Sequence, residues 1–126
     1  MPSLARQKSF NRRDALALWH SITLDTILDK GPELTPRQFA ILSTVYLVPG
    51  PHTVRSLAGK LNVTKAVICR ALDTLNRYDF IIRRSDPNDK RSIIVQRTGP
   101  GSKYLSRLGD QIVSQMKPRQ SDLFAA

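Results

Sequence analysis

Residue types that build catalytic and metal sites are scarce in this chain. One cysteine, Cys69, excludes an internal disulfide, and two histidines, His20 and His52, are too few for a cluster of metal ligands. The sequence also lacks a glycine-rich phosphate loop, a G-x-S-x-G motif and a pair of acids beside a nucleophile. We therefore predict that the protein is not an enzyme and needs no cofactor. The single thiol fits a reducing cytoplasm.

Long apolar runs are missing as well. No run approaches the ~20 residues that a membrane-spanning helix needs. The longest early run, Ala15 to Trp19, directly follows charged residues and does not resemble a signal peptide. No basic amphipathic segment carries Trp or Phe along an apolar edge, as a membrane-surface anchor would. The sequence thus predicts a cytoplasmic protein without a membrane partner.

Acidic residues are few, with 10 Asp or Glu against 20 Lys or Arg and a formal net charge of +10. From Arg37 to Arg107, thirteen basic residues stand against four aspartates, a net charge of +9. From Asp14 to Glu33, four acids stand against Lys30, a net charge of −3. A basic surplus in one part of a chain indicates a polyanionic partner for that part.

The segment from Thr53 to about Tyr78 has the pattern of a helix-turn-helix. Thr53 is a helix N-cap, and the short helix after it runs to about Leu61. Asn62 follows, at a point where such motifs need left-handed backbone, which Asn tolerates better than most residues. Thr64 then caps a second helix. At 100° per residue, that helix gathers its apolar side chains into one sector, which we expect to pack on the body of the domain. The sector contains Ile68, Ala71, Leu72 and Leu75.

The opposite side of this helix is basic. A helix fits the major groove of DNA, and its first two turns reach the base edges. Lys65 and Arg70 suit guanine or phosphate, and the methyl groups of Ala66 and Val67 suit thymine methyls. For any one basic residue, an ordinary solvated helix face is the alternative. The predicted DNA-binding residues are Arg55, Thr64, Lys65, Ala66, Val67, Arg70, Arg77, Lys90 and Arg91.

Lys90 and Arg91 belong to a predicted hairpin, or wing, in which two β-branched runs at 80–84 and 91–97 flank a turn. Residues 52–54 are candidates for a short third strand. We interpret Asp89 as a clamp on Arg91, which lies two residues further along the strand and so on the same face. A guanidinium aimed in this way suits the negative minor groove. The alternative is that Asp86, Asn88 and Asp89 only form the turn.

The order of these motifs over residues 11–116 resembles the MarR family of winged-helix transcription regulators. The most specific signature is acidic-x-x-Asp-x-Arg in the wing, here Asp86, Asp89 and Arg91. The other matching stretches are Leu34-Thr35 to Leu42, Leu57-Ala58, Val63-Thr64, Leu72-Asp73-Thr74-Leu75, Ile81-Ile82-Arg83 and Thr98-Gly99-Pro100-Gly101. The sequence departs from the family at Asp79, where glycine is usual, and at Arg97, where leucine is usual. It also ends before a second C-terminal helix.

The resemblance implies a homodimer that binds pseudo-palindromic double-stranded DNA. The second helix of the motif would lie in the major groove and Arg91 in the minor groove. Many members also respond to a small-molecule or oxidant effector. A candidate effector pocket lies around Trp19, His20 and Tyr46, although the apolar residues that line pockets also build cores. Cys69 is either a reactive thiol near Lys65 and Arg70 or a small apolar filler.

The predicted fold class is mainly α with a small antiparallel β wing (α+β). One winged helix-turn-helix domain covers 11–117, between a flexible arm at 1–10 with Arg6 and Lys8 and a tail at 118–126. A helix at 11–30, with Asn11 as its cap, and a helix at 99–117 flank the helix-turn-helix at 53–78 and the wing at 80–97. Thr35 begins a capping box. Thr98 caps the last helix, and we expect 99–101 to delay the start of that helix.

Apolar residues on the first helix form two stripes, and one stripe would suffice for a core within one chain. The second predicts a partner, most simply a second copy, whereas the alternative is a helix buried between two layers of one chain. The stripes are Ala15, Leu18, Trp19 and Ile22, and Leu16, Leu24, Ile27 and Leu28.

The sequence therefore predicts a sequence-specific, homodimeric DNA-binding transcription regulator, most simply a repressor. One alternative is an effector-independent architectural or replication-linked DNA binder. The other is a winged helix used as a protein-protein interaction module.

Overall fold

The computed structural model describes residues 10–116. The predicted tail at 118–126 lies outside these residues. Of the predicted arm at 1–10, only Phe10 lies within them. The elements are α1 (Arg12–Leu28), α2 (Pro36–Leu47), β1 (His52–Thr53), α3 (Val54–Leu61), α4 (Lys65–Arg77), β2 (Ile81–Asp86), β3 (Asp89–Arg97) and α5 (Gly99–Gln115). Over this range the fold is mainly α with one small antiparallel sheet, which confirms the predicted class. None of these helices is long and apolar enough to span a bilayer.

The described residues divide into two compact units, 34–106 and 10–33 with 107–116. Within 34–106, α2, α3, α4 and the sheet enclose the apolar core. The fully buried large side chains are Ile41, Leu42, Val45, Leu57, Ile68, Leu72, Leu75 and Ile81. In the other unit, α1 and the end of α5 are joined where the Gln115 side-chain amide donates to Asp25 Oδ2 at 3.0 Å.

The first four helices each begin at the side-chain cap that the sequence predicted. At α2 the cap is reciprocal. The Gln38 N–H donates to Thr35 Oγ1 at 3.1 Å, and the Thr35 N–H donates to Gln38 Oε1 at 2.9 Å. Each cap satisfies N–H groups that have no partner inside the helix, which is worth ~1 kcal/mol. The caps are Asn11, Thr35, Thr53 and Thr64.

Helices α3 and α4 both end at a non-glycine residue in left-handed backbone. Asn62 has φ 56° and Asp79 has φ 63°. After α4, the Asp79 N–H donates to the Asn76 carbonyl and the Phe80 N–H to the Leu75 carbonyl, both at 2.9 Å. This pair of bonds closes the helix and turns the chain into β2. Glycine adopts left-handed backbone most readily, and glycine is the residue that the family usually has at the position of Asp79.

Strand order in the sheet is β1-β3-β2, with both pairs antiparallel, so the predicted third strand is present. The hairpin is longer and its turn tighter than predicted, because β2 reaches Asp86 and β3 begins at Asp89. The Asn88 N–H donates to Asp86 Oδ1 at 2.9 Å, which stabilises a turn of only two residues. The register shifts between Ser85 and Asp86, where the wing approaches its tip.

A tyrosine fixes the point where the wing ends and α5 begins. The Tyr46 hydroxyl lies 2.8 Å from the Phe80 carbonyl and 3.1 Å from the Thr98 carbonyl, and it accepts from the Thr98 N–H at 2.9 Å. The Gly101 N–H donates to Thr98 Oγ1 at 3.0 Å. Because Thr98 caps the helix directly, α5 starts at Gly99, as the predicted range 99–117 has it, and the expected delay over 99–101 is absent.

Gly101 is required by this arrangement. A Cβ there would collide with the Tyr46 hydroxyl and the Phe80 carbonyl. We expect Gly101→Ala to lower the free energy of unfolding by ~1–3 kcal/mol in denaturant titrations, because neither neighbour can move without losing hydrogen bonds.

The matched control is Gly59→Ala on α3, where an added Cβ would meet nothing within 4 Å. It should raise stability by ~0.5–1 kcal/mol, since alanine is the better helix former. Equal stability of the two variants would contradict the close approach of Tyr46 to Gly101.

Candidate nucleic-acid interface

Helix α4 separates an apolar from a basic side as the sequence predicted. Ile68, Leu72 and Leu75 are 0% exposed, and Ala71 is buried beside them against α2 and α3. On the other side the side chains are exposed at Lys65, Ala66, Arg70, Asp73 and Arg77, and Val67 is half-buried. Burying three large aliphatic side chains contributes ~1.5–3 kcal/mol each, and this fixes the rotation of the helix.

Helix α3 packs against α4, and two more of the predicted DNA-binding residues lie on it and in the turn that follows it. Leu57 and Ala58 are buried, whereas Arg55 is exposed on the first turn of the helix. Thr64 is exposed, and its hydroxyl accepts from the Val67 N–H at 3.2 Å. Thr64 therefore serves α4 as its cap, and this role sets where the first turn of the helix begins.

The wing presents its basic residues at its tip. Lys90 is exposed, and the Arg91 side chain is 96% exposed. Asp89 Oδ1 accepts from the Arg91 backbone N–H at 3.1 Å and lies 3.9 Å from Arg91 Nε. The short contact is the one to the backbone, so Asp89 orders the chain at Arg91 more firmly than it holds the guanidinium. Asp86 acts as a turn former.

An ion pair between Asp73 and Arg83 joins the basic side of α4 to β2. Arg83 Nη1 lies 2.9 Å from Asp73 Oδ1. The pair occupies the carboxylate of Asp73, which lies among the exposed cations of α4, and it connects the helix directly to the wing. The two residues stand on different elements, so no helical or strand periodicity in the sequence indicated the contact.

Most of the other residues singled out in the sequence make contacts that stabilise the fold. Tyr46 uses its hydroxyl in the contacts with Phe80 and Thr98. His52 is buried, with Nε2 2.7 Å from the Val48 carbonyl oxygen. Cys69 is half-buried and packs against the core of 34–106. In the other unit, Trp19 and His20 are exposed. Across residues 10–116, no three His, Cys, Asp or Glu side chains are grouped so as to hold a metal ion.

We expect the ion pair between Asp73 and Arg83 to contribute less than ~1 kcal/mol to stability, because both side chains are partly exposed and solvent screens them. A double-mutant cycle of Asp73→Asn and Arg83→Gln in denaturant titrations measures this coupling. The pair of Asp89 and Arg91 is the comparison: its atoms are 3.9 Å apart and its arginine is 96% exposed, against 30% for Arg83, so it should couple less. Larger coupling at the wing tip would reverse this ranking.

The MarR family model matches residues 34–93. An uncharacterised HTH-type transcriptional regulator of Bacillus subtilis (strain 168), YkoM, is 32% identical over 73 residues, which are 58% of this chain and 47% of YkoM. The chain thus spans about half the length of that relative.

Solved structures share the fold. A mutant of S. aureus MepR superposes with a TM-score of 0.68 at 21% identity, covering 83% of this chain and 74% of the other. The structure of reduced AbfR bound to DNA has a TM-score of 0.62 at 22% identity, covering 89% of this chain and 79% of the other. Residues 34–93 are thus a MarR-family domain, and the proteins that they resemble are transcription regulators rather than enzymes.

Proposed function

We propose that the protein is a homodimeric, sequence-specific transcription regulator that binds double-stranded DNA. The observation that carries the proposal is the arrangement of α4, with its aliphatic side fully buried and its cations exposed, beside a hairpin whose Arg91 is 96% exposed. A single duplex surface meets both elements in winged-helix proteins. The structural similarity to AbfR, which was solved bound to DNA, supports this partner.

In this proposal, the first two turns of α4 lie in the major groove. Arg70 donates two hydrogen bonds to guanine, which is the commonest specific contact of arginine with DNA. Ala66 lies one turn before Arg70 on the same side of the helix and places its methyl group against a thymine methyl. Lys65, Arg55 and Arg77 contact phosphates, which gives affinity and register without sequence information.

The wing tip reaches the adjacent minor groove. Arg91 enters it as an exposed cation, and narrow A·T-rich minor grooves attract such a cation through their enhanced negative potential. Lys90 lies beside it and contacts the backbone. Asp89 assists by ordering the main chain at Arg91, since its carboxylate accepts from that N–H.

The proposed homodimer is supported by the unit formed by α1 and the end of α5, which leaves many apolar side chains exposed in a single chain. Burying them between two copies supplies the hydrophobic stabilisation that dimers need. Two copies related by a twofold axis would bind a pseudo-palindromic operator, with half-sites about one helical turn, or ~34 Å, apart. The exposed side chains are Leu16 (59%), Trp19 (71%), Leu24 (43%), Ile27 (55%), Leu28 (71%), Val113 (70%) and Met116 (54%).

We further propose that the regulator acts in the cytoplasm as a repressor, since a dimer seated on promoter DNA blocks polymerase by competition. A small-molecule effector that shifts the dimer geometry would relieve this repression. Selection of bound fragments from a random duplex pool tests the core of the proposal. Enrichment of an inverted repeat is the expected result, whereas binding without any enriched sequence would favour the architectural alternative.

Two arginine variants separate the proposed roles. Arg70→Ala should cost ~1–3 kcal/mol on the selected operator and much less on unrelated duplex, because a base contact is lost. Arg91→Ala should weaken operator binding and relax the preference for A·T pairs under the wing. Binding isotherms at one fixed salt concentration measure both effects. Unchanged operator affinity in both variants would refute these assignments.

A charge on the exposed apolar side of α1 should prevent dimerisation. We expect Trp19→Asp to shift the protein toward monomer in sedimentation equilibrium and to lower operator affinity at least tenfold, since half-sites would bind independently. Trp19→Phe keeps an apolar ring and should remain dimeric. A fully dimeric Trp19→Asp protein would place the interface elsewhere.

A further inference from the structure

An open groove runs along one flank of α4, between that helix and the first turns of α2 in the same unit. We propose that one phosphate strand of the bound duplex lies in this groove, which makes Arg37 a DNA contact outside the helix-turn-helix. The proposal rests on the DNA-binding function proposed above. The groove is lined by Thr35, Arg37, Gln38, Val67, Arg70, Ala71, Asp73, Thr74 and Arg77.

The charge of the groove selects a polyanion. Arg37, Arg70 and Arg77 contribute three guanidinium groups, and Asp73 contributes one carboxylate. That carboxylate is engaged by Arg83 at 2.9 Å from outside the groove, so the cations are not neutralised locally. Arg77 is held by its bond to Thr74 Oγ1 at 3.0 Å, which orders its guanidinium along the wall of the groove.

The position of the groove fits a DNA strand. An α-helix with its side chains is ~10–12 Å wide and the major groove ~12 Å wide, so an inserted helix meets a strand along each flank. Arg70 and Arg77 are seven residues apart on α4. At ~1.5 Å per residue, Arg77 lies ~10 Å further along the helix than Arg70, so that Arg77 contacts the strand beside the helix while Arg70 contacts guanine. Arg37 faces the same strand from α2, across the groove.

The N-terminus of α2 does not bind the phosphates through its backbone N–H groups. The Gln38 N–H is already bonded to Thr35 Oγ1, and the Thr35 N–H to Gln38 Oε1. Proline at position 36 has no N–H to donate. The attraction therefore comes from the side-chain cations, and a neutral substitution of Arg37 removes it without disturbing the cap.

Salt dependence of binding tests the inference. Arg37→Gln should weaken binding to the selected operator and to an unrelated duplex by the same factor, roughly three- to tenfold near 0.1 M salt. The slope of log Kd against log salt should fall by about 1, as for one lost phosphate contact. Arg37→Lys should keep most of the slope. Lys103→Gln, an exposed cation on α5 that does not line the groove, is the matched control and should leave the slope unchanged.

Three outcomes would overturn the inference. The first is an unchanged slope in Arg37→Gln, and the second is an equal loss in Lys103→Gln, which would indicate a general charge effect. The third is altered sequence preference in Arg37→Gln, which would indicate a base contact. Each leaves the proposed function intact provided that Arg70→Ala and Arg91→Ala weaken operator binding. Absence of duplex binding by the wild-type protein at low salt removes both proposals together.

Discussion

The burial of one side of α4 is the constraint on which the proposed interface depends. Ile68, Leu72 and Leu75 are fully buried among side chains of α2 and α3, and rotating the helix would expose all three to water. The cost of that exposure, several kcal/mol in all, is comparable to the whole stability of a small domain. Burial of the aliphatic side chains therefore determines that the cations on the opposite side are exposed. No further interaction is needed to keep these cations in solvent.

A second set of contacts places the wing relative to α4. The left-handed residue Asp79 turns the chain out of the helix, and its carbonyl accepts from Thr98 Oγ1 at 2.6 Å. The Tyr46 hydroxyl bonds both sides of the hairpin base, at Phe80 and Thr98. Arg97, where the family usually has leucine, donates from Nε to the Val45 carbonyl at 3.2 Å near the end of α2 and lies over the Tyr46 ring. The hairpin base is thus anchored to α2 by polar contacts that a leucine could not make.

Local signals in the sequence predicted the elements of this fold and the faces of α4, since a cap or an amphipathic sector is decided within a few residues. The boundaries of the hairpin were less accurate because Asp86 stabilises a turn of two residues, whereas the predicted strands left a turn over 85–90. The pairing of Asp73 with Arg83, the Tyr46 hydroxyl contacts and the position of Arg37 could not be predicted, because each depends on elements that meet only after folding. The wing signature located the exposed tip at Arg91, although the shorter contact of Asp89 is to the backbone N–H.

The four aspartates of the basic stretch 37–107 appear ill-suited to a surface proposed to bind phosphates, and their contacts explain why they are tolerated. Asp73 pairs with Arg83, Asp86 accepts from the Asn88 N–H, and Asp89 accepts from the Arg91 N–H. Asp79 occupies the left-handed position after α4, where a short polar side chain is tolerated better than most. Three of the four carboxylates are thus paired or hydrogen-bonded within the helix-wing unit, and Asp79 contributes its backbone conformation. The thirteen basic residues of this stretch outnumber its four aspartates, so the net charge presented to a duplex stays positive although acids lie at the centre of the module.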